Sequence, residues 1–206
     1  MSTWTCKAAV AAFVLSLAGC EGGFDVSGFG VSRAAPDQIS LPDGLVVAGA
    51  EGWCVDVGSS QSGGATSVVV LGSCAAIGRD ADAPRPEVPG VMTVSVESAG
   101  LQAPPADALE AFFGTDDGLA VLARDGNAES VRLLESKRDG ELLYLHAEDA
   151  TVLPGTSPDY WRALFDLKGR LVSVTLLGIA GRPISSAEGL AALQSQIEQL
   201  IAANAA

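Results

Sequence analysis

An α+β fold is predicted: an antiparallel sheet of hairpins with a short middle helix and a long C-terminal helix packed on it. Three observations carry this prediction. Val91–Glu97 and Leu171–Gly178 alternate apolar and polar residues at period two, as strands with one buried face do. Asp139-Gly140, set between two apolar stretches, is a two-residue hairpin signal. Near the end, Leu190, Leu193, Ile197, Leu200 and Ile201 form a stripe at helical spacing, preceded by Ser185 and Glu188 at capping-box distance.

The first strands fall at Leu45–Ala48 and Gly52–Val57, before the polar loop Gly58–Ala65, with Thr66–Ser73 after it. This is a hairpin with a long turn, and it sets Cys54 and Cys74 at nearly equal heights, with Trp53 expected to cover one side of the pair. Residues 78–90 hold Pro84, Pro86 and Pro89, which cannot feed a central ladder, so they form a loop. In Val91–Glu97, Met92, Val94 and Val96 share one face and Val91, Thr93 and Ser95 the other. Pro104-Pro105-Ala106 opens a short helix through Phe113. Further strands are expected at Leu119–Arg124, Val131–Lys137, Glu141–Ala147, Tyr160–Lys168 and Leu171–Gly178. The last two turn around Gly169, with Val172, Val174 and Leu176 inward and Ser173 and Thr175 outward. No internal repeat and no heptad pattern interrupts this order.

Ahead of the domain, Lys7 precedes an eleven-residue apolar run, Ala8–Ala18, which fits a secretion signal and is too short to span a bilayer. Leu17-Ala18-Gly19-Cys20 resembles the lipobox of bacterial lipoproteins. That resemblance implies removal of residues 1–19, lipidation of Cys20, and stable anchoring through two or more acyl chains. Residues 20–40, rich in Gly and Ser, read as a flexible lipidated tether, and 41–206 as a single α+β domain on the periplasmic side of the cell envelope. Glu21, following the cysteine, leaves inner and outer membrane open. With Cys6 cut away and Cys20 lipidated, Cys54 and Cys74 remain, most simply as a disulfide in an exported chain. The Gly-Trp-Cys and Gly-Ser-Cys pair resembles uncharacterised alphaproteobacterial lipoproteins. In element order over roughly residues 41–203 the domain also resembles the α/β sandwich of PsbP-like proteins, which implies a binding or assembly module.

The formal charge of −13, which becomes −14 when Lys7 is lost, excludes a basic nucleic-acid stripe and attraction to anionic head groups. No cofactor or metal set is expected. His146 is the only histidine, and it reads as a half-exposed strand residue; no Gly-x-Ser-x-Gly elbow, Cys-x-x-Cys pair or Walker lysine accompanies it. Asp125-Gly-Asn127-Ala-Glu129 imitates the start of a calcium loop, but Ser130 and Ser136 stand where glycine and a bidentate acid are required, so it reads as a turn. Two segments are candidate interaction surface. Tyr160-Trp161-Arg162 has hot-spot composition, although period two instead sends Trp161 inward with Ala163, Phe165 and Leu167, the favoured reading. The other is the Pro-rich loop with Arg79 and Arg85, set against a plain connector. The function expected is a lipid-anchored envelope binding or assembly module; the alternatives are an envelope hydrolase built from scattered acids and serines, and a purely structural component.

Overall fold

The alternation that predicts strands is realised side chain by side chain. A computed structural model describes residues 34–205. The lipobox, Cys20 and the first part of the tether lie outside these residues. In β5 (Gly90–Glu97) Met92, Val94 and Val96 are buried while Val91 is exposed. In β9 (Leu171–Ile179) Val172, Val174 and Leu176 are fully buried. The two strands pair antiparallel, with Met92 opposite Leu176, Val94 opposite Val174 and Val96 opposite Val172, so their apolar faces merge into one core.

Around this seam the remaining strands complete an antiparallel sheet. On one side lie β4 (Thr66–Ser73) and the short β3 (Trp53–Val55); on the other lie β8 (Thr156–Asp166), β7 (Leu142–Asp149) and β6 (Val131–Asp139). The order is β3-β4-β5-β9-β8-β7-β6. The β6–β7 turn sits one residue later than its sequence signal, because Asp139 pairs with Leu142 and the loop is Gly140-Glu141. Gly140, at φ +58°, takes the left-handed position that such a turn requires. In the β8–β9 hairpin both central residues, Lys168 and Gly169, have positive φ, as a type I′ turn demands.

Two corrections concern boundaries and type. Of the expected strand at Leu119–Arg124, residues 119–122 belong instead to helix α3 (Asp116–Leu122), with Ala123 and Arg124 just past its end; α3 follows the predicted short helix α2 (Ala106–Phe113). Thr115 caps α3 by accepting the Gly118 amide at 3.2 Å, and Asp116 and Asp117 sit at the positive end of the helix. The run Leu-Ala-Val-Leu satisfies either period, and these N-terminal signals decide for the helix. The second correction is that the stretch expected as tether ends in β1 (Gln38–Ser40), paired with β2 (Val46–Ala48).

The long helix α4 (Ser186–Ala203) has the predicted capping box: Ser185 accepts from the Glu188 amide while Glu188 accepts from the Ser185 amide. Leu193, Ile197 and Leu200 are buried on the sheet, but Ile201 is 46% exposed, about 100° round the helix from Leu200. A polar residue, the fully buried Gln196, completes the buried face. Helix α4 and the β1–β2 ribbon cover one sheet face; α2 and α3 cover the other, but only over the β6–β8 end. No helix among the described residues is long and apolar enough to cross a membrane.

Cys54 and Cys74 form the disulfide, with Cys54 on β3 and Cys74 opening a one-turn helix, α1 (Cys74–Ile77). Trp53, next to Cys54 on β3, belongs to the main core cluster. The bridge spans 20 residues, for which chain entropy gives about 3 kcal/mol. Cys54→Ser and Cys74→Ser are each expected to lower stability by about this amount, and both together by little more than either alone. Denaturant melts of the three variants measure this, and additive losses would contradict the pairing.

Candidate ligand-binding cleft

Because α2 and α3 stop short of the sheet centre, the outward side chains of β5 and β9 are left as the floor of a cleft. They are hydroxylic: Thr93 pairs with Thr175 and Ser95 with Ser173 in register. The cleft, of about 170 Å³, is lined by these four residues with Leu122, Arg124, Tyr160, Arg162 and Leu177. Alternating valines on the other face anchor the same strands in the core, so the floor is rigid.

One wall is built on Tyr160, buried and donating its hydroxyl to the Leu122 carbonyl at 2.9 Å, which ties β8 to the end of α3. Burial pushes its phenol above the usual value. Two guanidinium groups stand over this ring, Arg124 at 5.6 Å and Arg162 at 5.5 Å from its centroid. Their circumstances differ. Arg124 is compensated: Nη1 lies 3.4 Å from the fully buried Asp149 carboxylate and donates to the Thr151 carbonyl at 3.0 Å. Burial pushes Asp149 up, yet hydrogen bonds from Thr151 and from the Arg124 amide outweigh it and hold the carboxyl below its usual value. Asp149 stays ionised there and fixes Arg124.

Arg162 has no such counter-charge. Its Nε donates to Thr175 Oγ1 at 3.1 Å, and no carboxylate among the described residues lies within ion-pair distance. Burial, and then the neighbouring Arg124 cation, lower its pKa, which means that both disfavour its charged form. A guanidinium nonetheless keeps its proton at neutral pH. The result is a partly desolvated cation whose Nη donors open onto a hydroxyl-lined cleft.

The predicted surface residues fall in different places. Tyr160 and Trp161 are 2% and 3% exposed, so Tyr160-Trp161-Arg162 is not an exposed cluster. Trp161 enters the main core with Ala163, Phe165 and Leu167, as the favoured reading of the alternation has it. Arg162, together with Tyr160, lines the cleft on the face away from the Trp161 core. Arg79 and Arg85 are exposed on their loop, Arg79 at a left-handed φ of +52°, and neither joins the Arg162 cleft. The Asp125 segment is a turn: Asp125 accepts from the Asn127 amide and the Ser130 hydroxyl, so its oxygens are used within the loop.

His146 lies on the opposite face, stacked on Trp161 with ring centroids 4.2 Å apart. Its Nε2 is 3.4 Å from Asp159, which also accepts the Ser157 hydroxyl at 2.7 Å. The carboxylate therefore stands between serine and imidazole, whereas nucleophile activation needs the imidazole next to the hydroxyl. The sequence showed the Ser/Thr alternation of β5 and β9. It gave no sign that Arg124, read as the end of a strand, would meet Arg162. Comparison with protein-family models, with curated proteins and with solved structures finds no match to the chain.

Proposed function

We propose that this chain is a lipid-anchored binding module of the cell envelope, held at the membrane through Cys20, whose cleft at Arg162 receives a ligand. The observation that carries the reading is the uncompensated Arg162 guanidinium, half-buried beside a rigid floor on which Thr175 holds its Nε and the hydroxyls of Thr93, Ser95 and Ser173 are unused. Leaving a cation partly desolvated without a counter-charge costs stability, and a fold retains such a group where a ligand completes it. The lipobox resemblance of Leu17-Ala18-Gly19-Cys20 supports the anchor.

Native mass spectrometry of the protein extracted from its own membranes tests both parts. A chain that starts at Cys20, carries acyl groups and holds a discrete non-covalent mass is expected. An unlipidated chain would remove the anchor, and a lipidated chain with no bound mass and no partner at any extraction strength would remove the binding role.

A further inference from the structure

We infer that the cleft recognises a carboxylate, held by the Nη donors of Arg162 and by the hydroxyls of Thr93, Ser95 and Ser173. This deepens the reading of the cleft as a ligand site and rests on it. Three observations lead to the class of ligand. The first is donor geometry. With Nε committed to Thr175, Arg162 is held by its inner nitrogen and leaves its outer fork free, which matches two oxygens of one group. The second is the floor. The side-chain hydroxyls of Thr93, Ser95 and Ser173 make no hydrogen bond to any other described residue, and they sit at paired positions of β5 and β9 beside Arg162. Each is a donor able to turn toward an anion. The third is charge. Arg124 is neutralised by Asp149, so the cleft carries one unbalanced positive charge. A monoanion balances this; a phosphate dianion would overshoot it and lie close to the Asp149 carboxylate. The space is small, about 170 Å³, against roughly 300 Å³ at the lower end for whole drug-sized ligands. It takes the acidic end of a molecule, while the rest of that molecule extends along the open face toward Val91 and Ile179, both exposed on the same side of the sheet.

The test is a titration of the membrane-extracted chain in neutral detergent with sodium acetate, exchanged for chloride at constant ionic strength, following the arginine Nε–Hε signals by NMR. A saturating shift at Arg162, with inorganic phosphate at neutral pH binding more weakly, is expected. Arg162→Gln is expected to weaken acetate binding about ten- to hundred-fold, the range for losing hydrogen bonds to a charged group. Arg162→Lys, which keeps the charge and loses the fork, should fall between, and Ser95→Ala should weaken binding several-fold with the fold intact. A linear or absent response at Arg162 in the wild-type chain would overturn the inference, as would acetate binding unchanged in Arg162→Lys and Ser95→Ala. The two readings fail separately: a neutral molecule found in the cleft with Arg162 unaffected sinks the carboxylate and leaves the binding module standing. Acetate saturation with nothing bound in native extracts does the reverse.

Discussion

Gly189→Ala is expected to destabilise the domain by about 2–4 kcal/mol, although alanine is the better helix former. Gly189 lies in the first turns of α4, and its amide donates to the Ser185 carbonyl at 2.9 Å. In an exposed helix the substitution would gain roughly 1 kcal/mol. Here an added Cβ would stand 2.3 Å from Trp161 Cε2, 2.4 Å from Cδ2 and 2.5 Å from Nε1. The indole cannot yield cheaply: it is 3% exposed, stacked on His146, and its backbone is held in register between His146 and Leu176. Either α4 lifts from the sheet or the stack opens, and both lose dense core contact. For a domain of this size the loss corresponds to roughly 5–15 °C in melting temperature. The partner variant Trp161→Leu decides the cause. Once the ring is gone, Gly189→Ala should be neutral or stabilising, so the cycle should show a large coupling. A stabilised Gly189→Ala in the wild-type background would mean that helix and indole are not in the contact described.

The same region shows why some of the fold was legible in the sequence and some was not. The inward residues of β5 and β9, the β6–β7 and β8–β9 hairpins and the Ser185 capping box are local patterns, decided within a few residues by pleat, turn chemistry or unsatisfied amides. The pairing of β5 with β9 joins segments about eighty residues apart, and nothing in either strand names the other. Glycine 189 reads locally as a weak point in a helix, and its reason lies in an indole on another strand. The cleft was half legible for the same cause. Thr93, Ser95, Ser173 and Thr175 stand out as the polar half of an alternation, but the loss of solvent around Arg162, and its meeting with Arg124 across Tyr160, arise from how far α2 and α3 reach over the sheet. Length and charge patterns do not encode that reach. The misread strand at Leu119–Arg124 hid the second arginine outright.

Gln196 is where sequence pattern and structure differ most in chemistry, and removing its amide should cost the domain about 3–5 kcal/mol. It sits on the apolar face of α4 between Leu193 and Leu200, wholly buried. Its Oε1 accepts from the Ala50 amide at 2.9 Å and its Nε2 donates to the Ala48 carbonyl at 2.7 Å. Eight residues on, Asn204 repeats the motif, accepting from the Val46 amide at 2.9 Å and donating to the Val46 carbonyl at 2.7 Å. On an antiparallel strand alternate residues turn their backbone groups to opposite edges; Val47 faces Ile39 of β1, and Val46 and Ala48 face α4. The two amides therefore act as a substitute strand along the edge of β2, spaced by a helical rise of about 12 Å. Gln196→Leu keeps the volume and orphans two backbone groups, so it should be strongly destabilised and insensitive to pH. In Gln196→Glu the carboxyl would keep both bonds only while protonated, because ionisation turns the donor to Ala48 into an acceptor facing an acceptor. Its folded pKa would be raised above the unfolded value of about 4.3. Stability relative to wild type would then be highest below that pH and fall as pH rises through the folded pKa. Urea melts of both variants at several pH values separate the cases. A near-wild-type Gln196→Leu would show that the residue only fills space. A flat pH profile for Gln196→Glu would show that solvent reaches the β2 edge and satisfies it, and the amide ladder would then contribute little to holding α4 in place.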